Sequence, residues 1–334
     1  MLAIVALGWV SALLMGSVGA PMDTTYLALP HAPGQRVALH CIAPLKPSGR
    51  GVLFVHGSSF PTRLAAGFEF APGDSWMHFM ADRGFLACGL DFLGFGASSR
   101  PPAMLGAAEG APPVSRATEA ADEIALAVAH MRGARGINEL HVVAHSWGTI
   151  PSATYASQHA ALLKSLTLFG PVVPVTSPAE EGKHGAWFSL TAQQRLAQLR
   201  FADVVPHNKH LLEAAIEQRW AGAFAASSPH VRGDAVDMMR IPEGPNVDLA
   251  AATRGAYPYD AATIDVPVFV VYGNYDVVVD DAGASLFLAR FTASPMKWQL
   301  RIDDGTHVMH LERNRRSLYE SVNAFIQATE ERSP

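Results

Sequence analysis

The chain has 334 residues, of which 49% are hydrophobic and only 16% are charged, so it can bury a large core and is neither a disordered nor a solvating polymer. A formal net charge of −5 excludes the basic footprint that nucleic acid or an anionic membrane surface would need in a partner. The partner to look for is a small molecule.

The first twenty residues carry no charge, hold the apolar runs 2–10 and 12–15, and end in Gly16-Ser17-Val18-Gly19-Ala20. This reads as a secretory signal peptide, cut after Gly19 or Ala20, and places the product in the periplasm or outside the cell. The missing Lys or Arg and the Pro21 that follows leave open a start at Met22 and a cytoplasmic product. No stable membrane anchor is expected, because the stretch is barely long enough to span and is broken by glycine and serine.

Strands are predicted over 36–43 and 51–55, the second running into His56-Gly57-Ser58-Ser59-Phe60. A glycine directly after a strand lets backbone N–H groups point into a cavity. The loop 58–73 then brings Phe60, Phe68 and Phe70, side chains able to line an apolar pocket. A third strand, 85–90, leads into Asp91-Phe92-Leu93-Gly94-Phe95-Gly96-Ala97-Ser98. Its G-x-G has Ser99 where a dinucleotide fingerprint has its third glycine, so no dinucleotide site is expected. Cys41 and Cys88 both fall in these strands and are expected as small buried hydrophobes, not as a disulfide, since a bridge within one sheet demands cross-strand geometry. The stretch 100–116, rich in alanine, glycine and proline, reads as a surface excursion.

The central feature is Ala144-His145-Ser146-Trp147-Gly148, set between the strand-like run 139–143 and the helix-like run 149–159. A serine hydroxyl is a weak nucleophile and must be presented to a base and to oxyanion donors, which a sharp strand-to-helix turn does. Such a turn needs very small residues two before and two after the serine, here Ala144 and Gly148. A further strand, 163–169, precedes a long insertion, 171–262, with helical spacing over 191–202 and 208–226. Trp187 and Phe188 within it are pocket candidates, together with Ser59 and Phe60.

The apolar, β-branched run 266–273 is the pattern of a strand buried on both faces, and Asp276 stands at its end. Asp280 and Asp281 are expected to cap a helix over 282–290. The strand 296–302 leads through Asp303-Asp304-Gly305-Thr306 to His307, ahead of a closing helix over 315–328. His310 is expected to pack or to face solvent. Fourteen histidines are scattered along the chain, and even the 207/210 and 307/310 pairs lack a completing ligand set, so no metal is expected.

In five motifs, in order and spanning about Thr25 to Gln327, the chain resembles the α/β-hydrolase superfamily. The resemblance implies a mostly parallel central sheet flanked by helices, with a core of 22–170 and 263–334 and a helical cap of 171–262. It makes Ser146 the nucleophile, His307 the general base and then acid, and Asp276 the residue that orients the imidazole. The oxyanion hole would use the backbone N–H groups of Trp147 and Ser58, with Ser59 as the alternative second donor. His56 and the Asp91 loop would be structural. Ala144 stands where the family usually has glycine, at the cost of one methyl group of clearance. The reaction implied is two-step acyl transfer to water without a cofactor. A neutral to apolar carboxylic ester or lactone is the substrate class expected, because the pocket candidates are aromatic and no cluster of acids is present to hold an amino terminus. Aminopeptidase or amidase activity, carbon–carbon bond hydrolysis and cofactor-free perhydrolysis use the same residues and stay open. So does a non-catalytic ligand receptor, although receptors on this scaffold commonly lose part of the triad that is complete here.

Overall fold

The computed structural model describes residues 20–331 apart from 179–181, 230, 232–233 and 236. The expected signal peptide therefore lies, but for Ala20, outside the described residues. Ten strands are described: β1 (Asp23–Ala28), β2 (Arg36–Ile42), β3 (Arg50–Val55), β4 (Leu86–Asp91), β5 (Glu139–His145), β6 (Ser165–Phe169), β7 (Trp187–Leu190), β8 (Met239–Pro242), β9 (Val268–Tyr275) and β10 (Lys297–Thr306). The helices are α1 (Trp76–Ala81), α2 (Ala117–Gly133), α3 (Thr149–His159), α4 (Ala192–Gln198), α5 (Phe201–Val204), α6 (Ala214–Ala225), α7 (Gly244–Thr253), α8 (Asp281–Ala289) and α9 (Arg315–Glu330). None of the described helices is long and apolar enough to cross a membrane.

Eight strands form one sheet in the order β1-β2-β4-β3-β5-β6-β9-β10. β2 pairs antiparallel with β1 and β4, and every pairing from β4 to β10 is parallel. Parallel strands need crossover helices, and these cover both faces, which is why the inner strands are buried on both sides and mostly apolar. Alternation still sorts the side chains. Leu53, Val55, Val142 and Ala144 join the α2, α3 and α8 residues in one buried cluster, while Val52, Phe54 and Val143 join α1 and α9 in another. The α/β-hydrolase architecture expected from the sequence is the one observed.

The cysteines do not behave as expected. The antiparallel register of β2 on β4 sets Cys41 directly opposite Cys88, with Cα atoms 4.1 Å apart, and the two form a disulfide. In sequence order β3 lies between these strands. Only the assembled sheet decides that the two thiols face one another.

The segment between β6 and β9 is less purely helical than its spacing suggested. It contributes an antiparallel β7–β8 ribbon beside its helices. Arg200, at φ 57°, interrupts the predicted 191–202 helix between α4 and α5. The stretch 100–116 lies mostly at the surface, as expected, but is held there by specific contacts. Ala186 N–H donates to Ala108 O (2.8 Å), Val114 N–H to Ala186 O (3.1 Å) and the Trp187 indole to Gly106 O (3.2 Å), so it is strapped along the inserted ribbon.

The bridge yields a direct expectation. Thiol titration of the denatured protein purified without reductant should find no free thiol, and after reduction it should find both cysteines. Replacing both by serine should cost about 2–4 kcal/mol of stability, read as a lower Tm. Free thiols in the unreduced, denatured protein would contradict the pairing.

Candidate active site

β5 ends at His145 and the chain turns at once into the helical residues that begin α3. Ser146 sits at that turn with φ 55°, the left-handed region that a non-glycine residue enters only when its surroundings impose it. The expected size limits have visible causes. A Cβ on Gly148 would overlap the backbone carbonyl oxygen of His56, and Ala144 is fully buried. Gly57 passes so near that a Cβ there would lie 3.0 Å from Ser146 Cβ. The loops after β3 and β5 are therefore in contact.

His307, on the loop after β10, places Nε2 2.8 Å from Ser146 Oγ. Its Nδ1 lies 3.0 Å from each carboxylate oxygen of Asp276. An ionised carboxylate only accepts, so Nδ1 carries the proton and donates it to Asp276, leaving the Nε2 lone pair to accept from the serine hydroxyl. Asp276 is itself held by Val278 N–H, which donates to Oδ1 at 2.8 Å. Asp280 caps α8 through Gly283 N–H (2.7 Å), and Asp281 accepts from Tyr272 OH (2.8 Å) and pairs with Arg301 (2.7 Å), so both later aspartates are occupied elsewhere. The arrangement can move a proton from Ser146 to His307 while Asp276 faces the resulting cation.

The residues around this set fix its loops. The backbone carbonyl of His307 accepts from His145 Nε2–H at 2.7 Å. Burial and the neighbouring His310 and His307 hold the His145 imidazole well below its ordinary pKa, and burial together with His307 takes His310 down to about 3. Both rings are therefore neutral and add no like charge to His307. His310 is buried against His145 with ring centroids 4.8 Å apart, so of the two expectations for it, packing is the one observed. Glu312, fully buried, accepts from Thr306 N–H (3.0 Å) and Thr306 Oγ–H (2.5 Å), and that hydroxyl in turn accepts from Val308 N–H (3.2 Å). These three bonds bracket His307.

On the opposite side, His56 accepts from Phe92 N–H through Nε2 (3.2 Å) and donates from Nδ1 to Gly57 O (2.6 Å), the structural role expected for it. Asp91 accepts from Thr62 N–H (2.7 Å), Ala97 N–H (2.9 Å) and His40 Nε2–H (3.0 Å). Burial pushes its pKa up, yet the hydrogen bond and charge of His40 outweigh this and bring it down to about 2. The Trp147 indole donates to Asp248 Oδ2 (3.1 Å), which also accepts Ala117 N–H (2.7 Å), so the turn is tied to the start of α2 and to α7.

Of the remaining candidates, Ser58, Ser59 and Phe60 are buried on the loop beside Ser146, and Phe60 packs on Trp220 with ring centroids 4.6 Å apart. Trp187 and Phe188 are not brought to this place by any hydrogen bond or ring contact to Ser146, Asp276 or His307. Trp187 lies under Arg240 (3.9 Å) and bonds to Gly106, and Phe188 packs on the edge of the main apolar cluster. Sequence reasoning passed over Glu312, Asp248 and Gly170. Gly170, at φ 54°, ends β6 so close to the set that a Cβ would lie 2.9 Å from His307 Nδ1 and 3.0 Å from Asp276 Oδ2. A lone glycine closing an apolar run was the only sequence signal for it.

Two expectations follow from this packing. Gly170→Ala should push the Asp276–His307 pair apart and lower kcat by about a hundredfold for any reaction that uses the pair, with a smaller change in KM; steady-state kinetics check it. Glu312 has its pKa pushed up to about 7, chiefly by burial, against the two Thr306 hydrogen bonds and with Asp276 adding to the rise. A raised carboxylate pKa means the folded state holds the proton longer than the unfolded one, so stability is full below the ordinary carboxylate range and falls as pH climbs through about 7. Glu312→Gln should flatten that decline, so that Tm measured between acidic and mildly alkaline pH drops by several degrees less than in the unmodified protein. Parallel Tm curves would rule this contribution out.

The model of the alpha/beta hydrolase fold family matches residues 52–314. A search of curated proteins finds no match. Among solved structures, an esterase from Exiguobacterium antarcticum superposes with a TM-score of 0.61 at 16% identity, over 91% of this chain and 100% of that one. A serine hydrolase involved in carbazole degradation gives a TM-score of 0.60 at 15% identity over 92% of this chain and 100% of that one. A membrane phospholipase A described as a bacterial virulence factor gives 0.58 at 16% identity, over 92% and 87%. These likenesses are of fold. With the family model running from within β3 to beyond His307 and so taking in Ser146, Asp276 and His307, the chain belongs to the α/β-hydrolase fold family.

Proposed function

We propose that this protein is a serine hydrolase that cleaves a carboxylic ester or lactone through an acyl-enzyme. The observation that carries the reading is the continuous hydrogen-bonded line from Ser146 Oγ through His307 to Asp276, starting at a backbone-strained serine. Ser146 Oγ attacks the ester carbonyl while His307 Nε2 takes its proton. The imidazolium then protonates the departing alkoxide, leaving the acyl group on Ser146. Water attacks that acyl carbon, gives a proton to His307, and the acid leaves as Ser146 recovers its proton. Asp276 stabilises the imidazolium in both halves.

Trp147 N–H and Ser58 N–H are the donors for the oxyanion. Ser58 is favoured over Ser59 because the Gly57 carbonyl is turned to His56 Nδ1, and a trans peptide points its N–H the opposite way. The apolar acyl part lies along Phe60 and Trp220, and the inserted segment 171–262 acts as a cap over it, with Trp220 donating to Leu64 O at 3.0 Å to bind the two together. An esterase and a phospholipase among proteins of similar fold agree with ester chemistry.

A fluorophosphonate should add once, at Ser146, and Ser146→Ala should abolish both labelling and ester turnover. His307→Ala should remove nearly all activity, and Asp276→Asn should lower kcat on the order of 10⁴ by favouring the wrong tautomer. Mass spectrometry that places the adduct on another residue, or turnover by Ser146→Ala, would overturn the reading.

A further inference from the structure

The cap helix α4 carries Arg195, and among the described residues this guanidinium is left nearly unpartnered. Its only hydrogen bond runs from Nη1 to the side-chain oxygen of Gln198 (3.0 Å), and its Nε is buried with no acceptor. Its neighbours on the same segment are treated differently. Arg219 donates to the carbonyls of Glu69 and Phe70, Arg240 binds Asp234 through two nitrogens and Met104 O through a third, and Arg200 pairs with Asp203. No carboxylate of the described residues pairs with Arg195.

Its position makes this matter. The Arg195 guanidinium lies 5.5 Å from the centre of the Phe60 ring, on the loop that carries Ser58. The same ring faces Trp220 at 4.6 Å and His310 at 6.4 Å, and His310 in turn faces His145, next to Ser146. Arg195 therefore stands where the cap meets the loop beside the nucleophile. Burial alone lowers its pKa, to about 10, a value that still leaves it fully charged near neutrality. A charged fork with five donors and one amide acceptor is an incomplete arrangement, and the group that completes it is a planar anion.

We propose that Arg195 is a specificity residue that binds an anionic group, a carboxylate in the first instance, at the end of the substrate remote from the scissile carbonyl. The substrate is then an ester with an apolar body along Phe60 and one negative charge, in place of the wholly neutral ester expected from the aromatic pocket residues alone. This inference rests on the serine-hydrolase reading above and deepens it.

The test uses 4-nitrophenyl monoesters of dicarboxylic acids from succinate to adipate, each beside its methyl-capped neutral counterpart, with the full-length protein. At the best chain length the unmodified protein should show a higher kcat/KM for the anionic ester, by about ten- to a hundredfold, and added salt should shrink that ratio. Arg195→Gln should reduce the anionic-to-neutral ratio at least about tenfold, chiefly through KM, and Arg195→Lys should restore part of it. Fluorophosphonate labelling of Ser146 in each variant reports that the site is intact. If a variant does not label, the ratio and its salt dependence in the unmodified protein decide. A ratio near unity at every length, or an equal loss on both ester types in a labelled Arg195→Gln, overturns the anion site while leaving the hydrolase reading standing. Absence of labelling and of turnover in the unmodified protein removes both.

Discussion

The parallel pairing of β3, β5, β6, β9 and β10 governs where this protein can do chemistry. Parallel neighbours end at the same edge of the sheet, so the loops that leave β3, β5, β9 and β10 are delivered to one place although the first and last of them lie about 250 residues apart in the chain. Ser146, Asp276 and His307 each follow a strand at that edge. Side chains on loops could meet in many ways, but the register of β9 on β10 and of β5 on β6 fixes the starting point of each loop independently of the side-chain hydrogen bonds. The disulfide between β2 and β4 lies on the antiparallel side of the same sheet and adds a covalent tie to the β2–β4 register.

What the sheet brings near, buried carboxylates hold in place. Asp91 collects the backbone N–H groups of Thr62 and Ala97, Asp248 joins the Trp147 indole to the first turn of α2, and Glu312 clamps Thr306 on both its amide and its hydroxyl. Asp91 and Asp248 each take groups from two separate elements, whereas Glu312 holds one residue, Thr306, at two points. The cost differs among them. Asp91 has enough donors to stay ionised in spite of burial, whereas Glu312 has donors from Thr306 alone and Asp276 nearby, and its pKa rises. The loop that carries His307 is thus built on a carboxylate that is easily protonated, and the loops after β3 and β4 are framed by one that is not.

The crowding at Ser146 is the other half of the arrangement. Gly148 admits the His56 carbonyl, Gly57 runs against the serine Cβ, and Gly170 admits the Asp276–His307 pair. Three separate loops touch the site through the missing side chains of glycines. The strained φ of Ser146 is sustained because the surrounding backbone allows no other path from β5 into α3. Arg195 belongs to a different layer, contributed by the inserted segment, where spare donors meet the apolar floor made by Phe60.

The sequence by itself determined seven of the ten described strands, the burial of β9, the tight turn at Ser146 and the identity of three candidate chemical groups, because periodicity, small residues and strand ends are local properties of the chain; β1, β7 and β8 escaped it. It distinguished Asp276 from Asp280 and Asp281 by position at a strand end, and the later two are engaged elsewhere: Asp280 caps α8 as expected, whereas Asp281 binds Tyr272 and Arg301 and caps nothing. Tertiary structure alone decided the rest. Whether Cys41 faces Cys88 depends on a register between strands 47 residues apart. Whether Trp187 reaches Ser146 or rests on Gly106 depends on how the β7–β8 ribbon docks against the 100–116 stretch, which no pattern in either segment records. Gly170, Glu312 and Arg195 carry no motif, since their importance lies in what approaches them: a close contact, a pair of donors, a missing acceptor. Such relations exist only between residues far apart in the chain, and folding is what creates them.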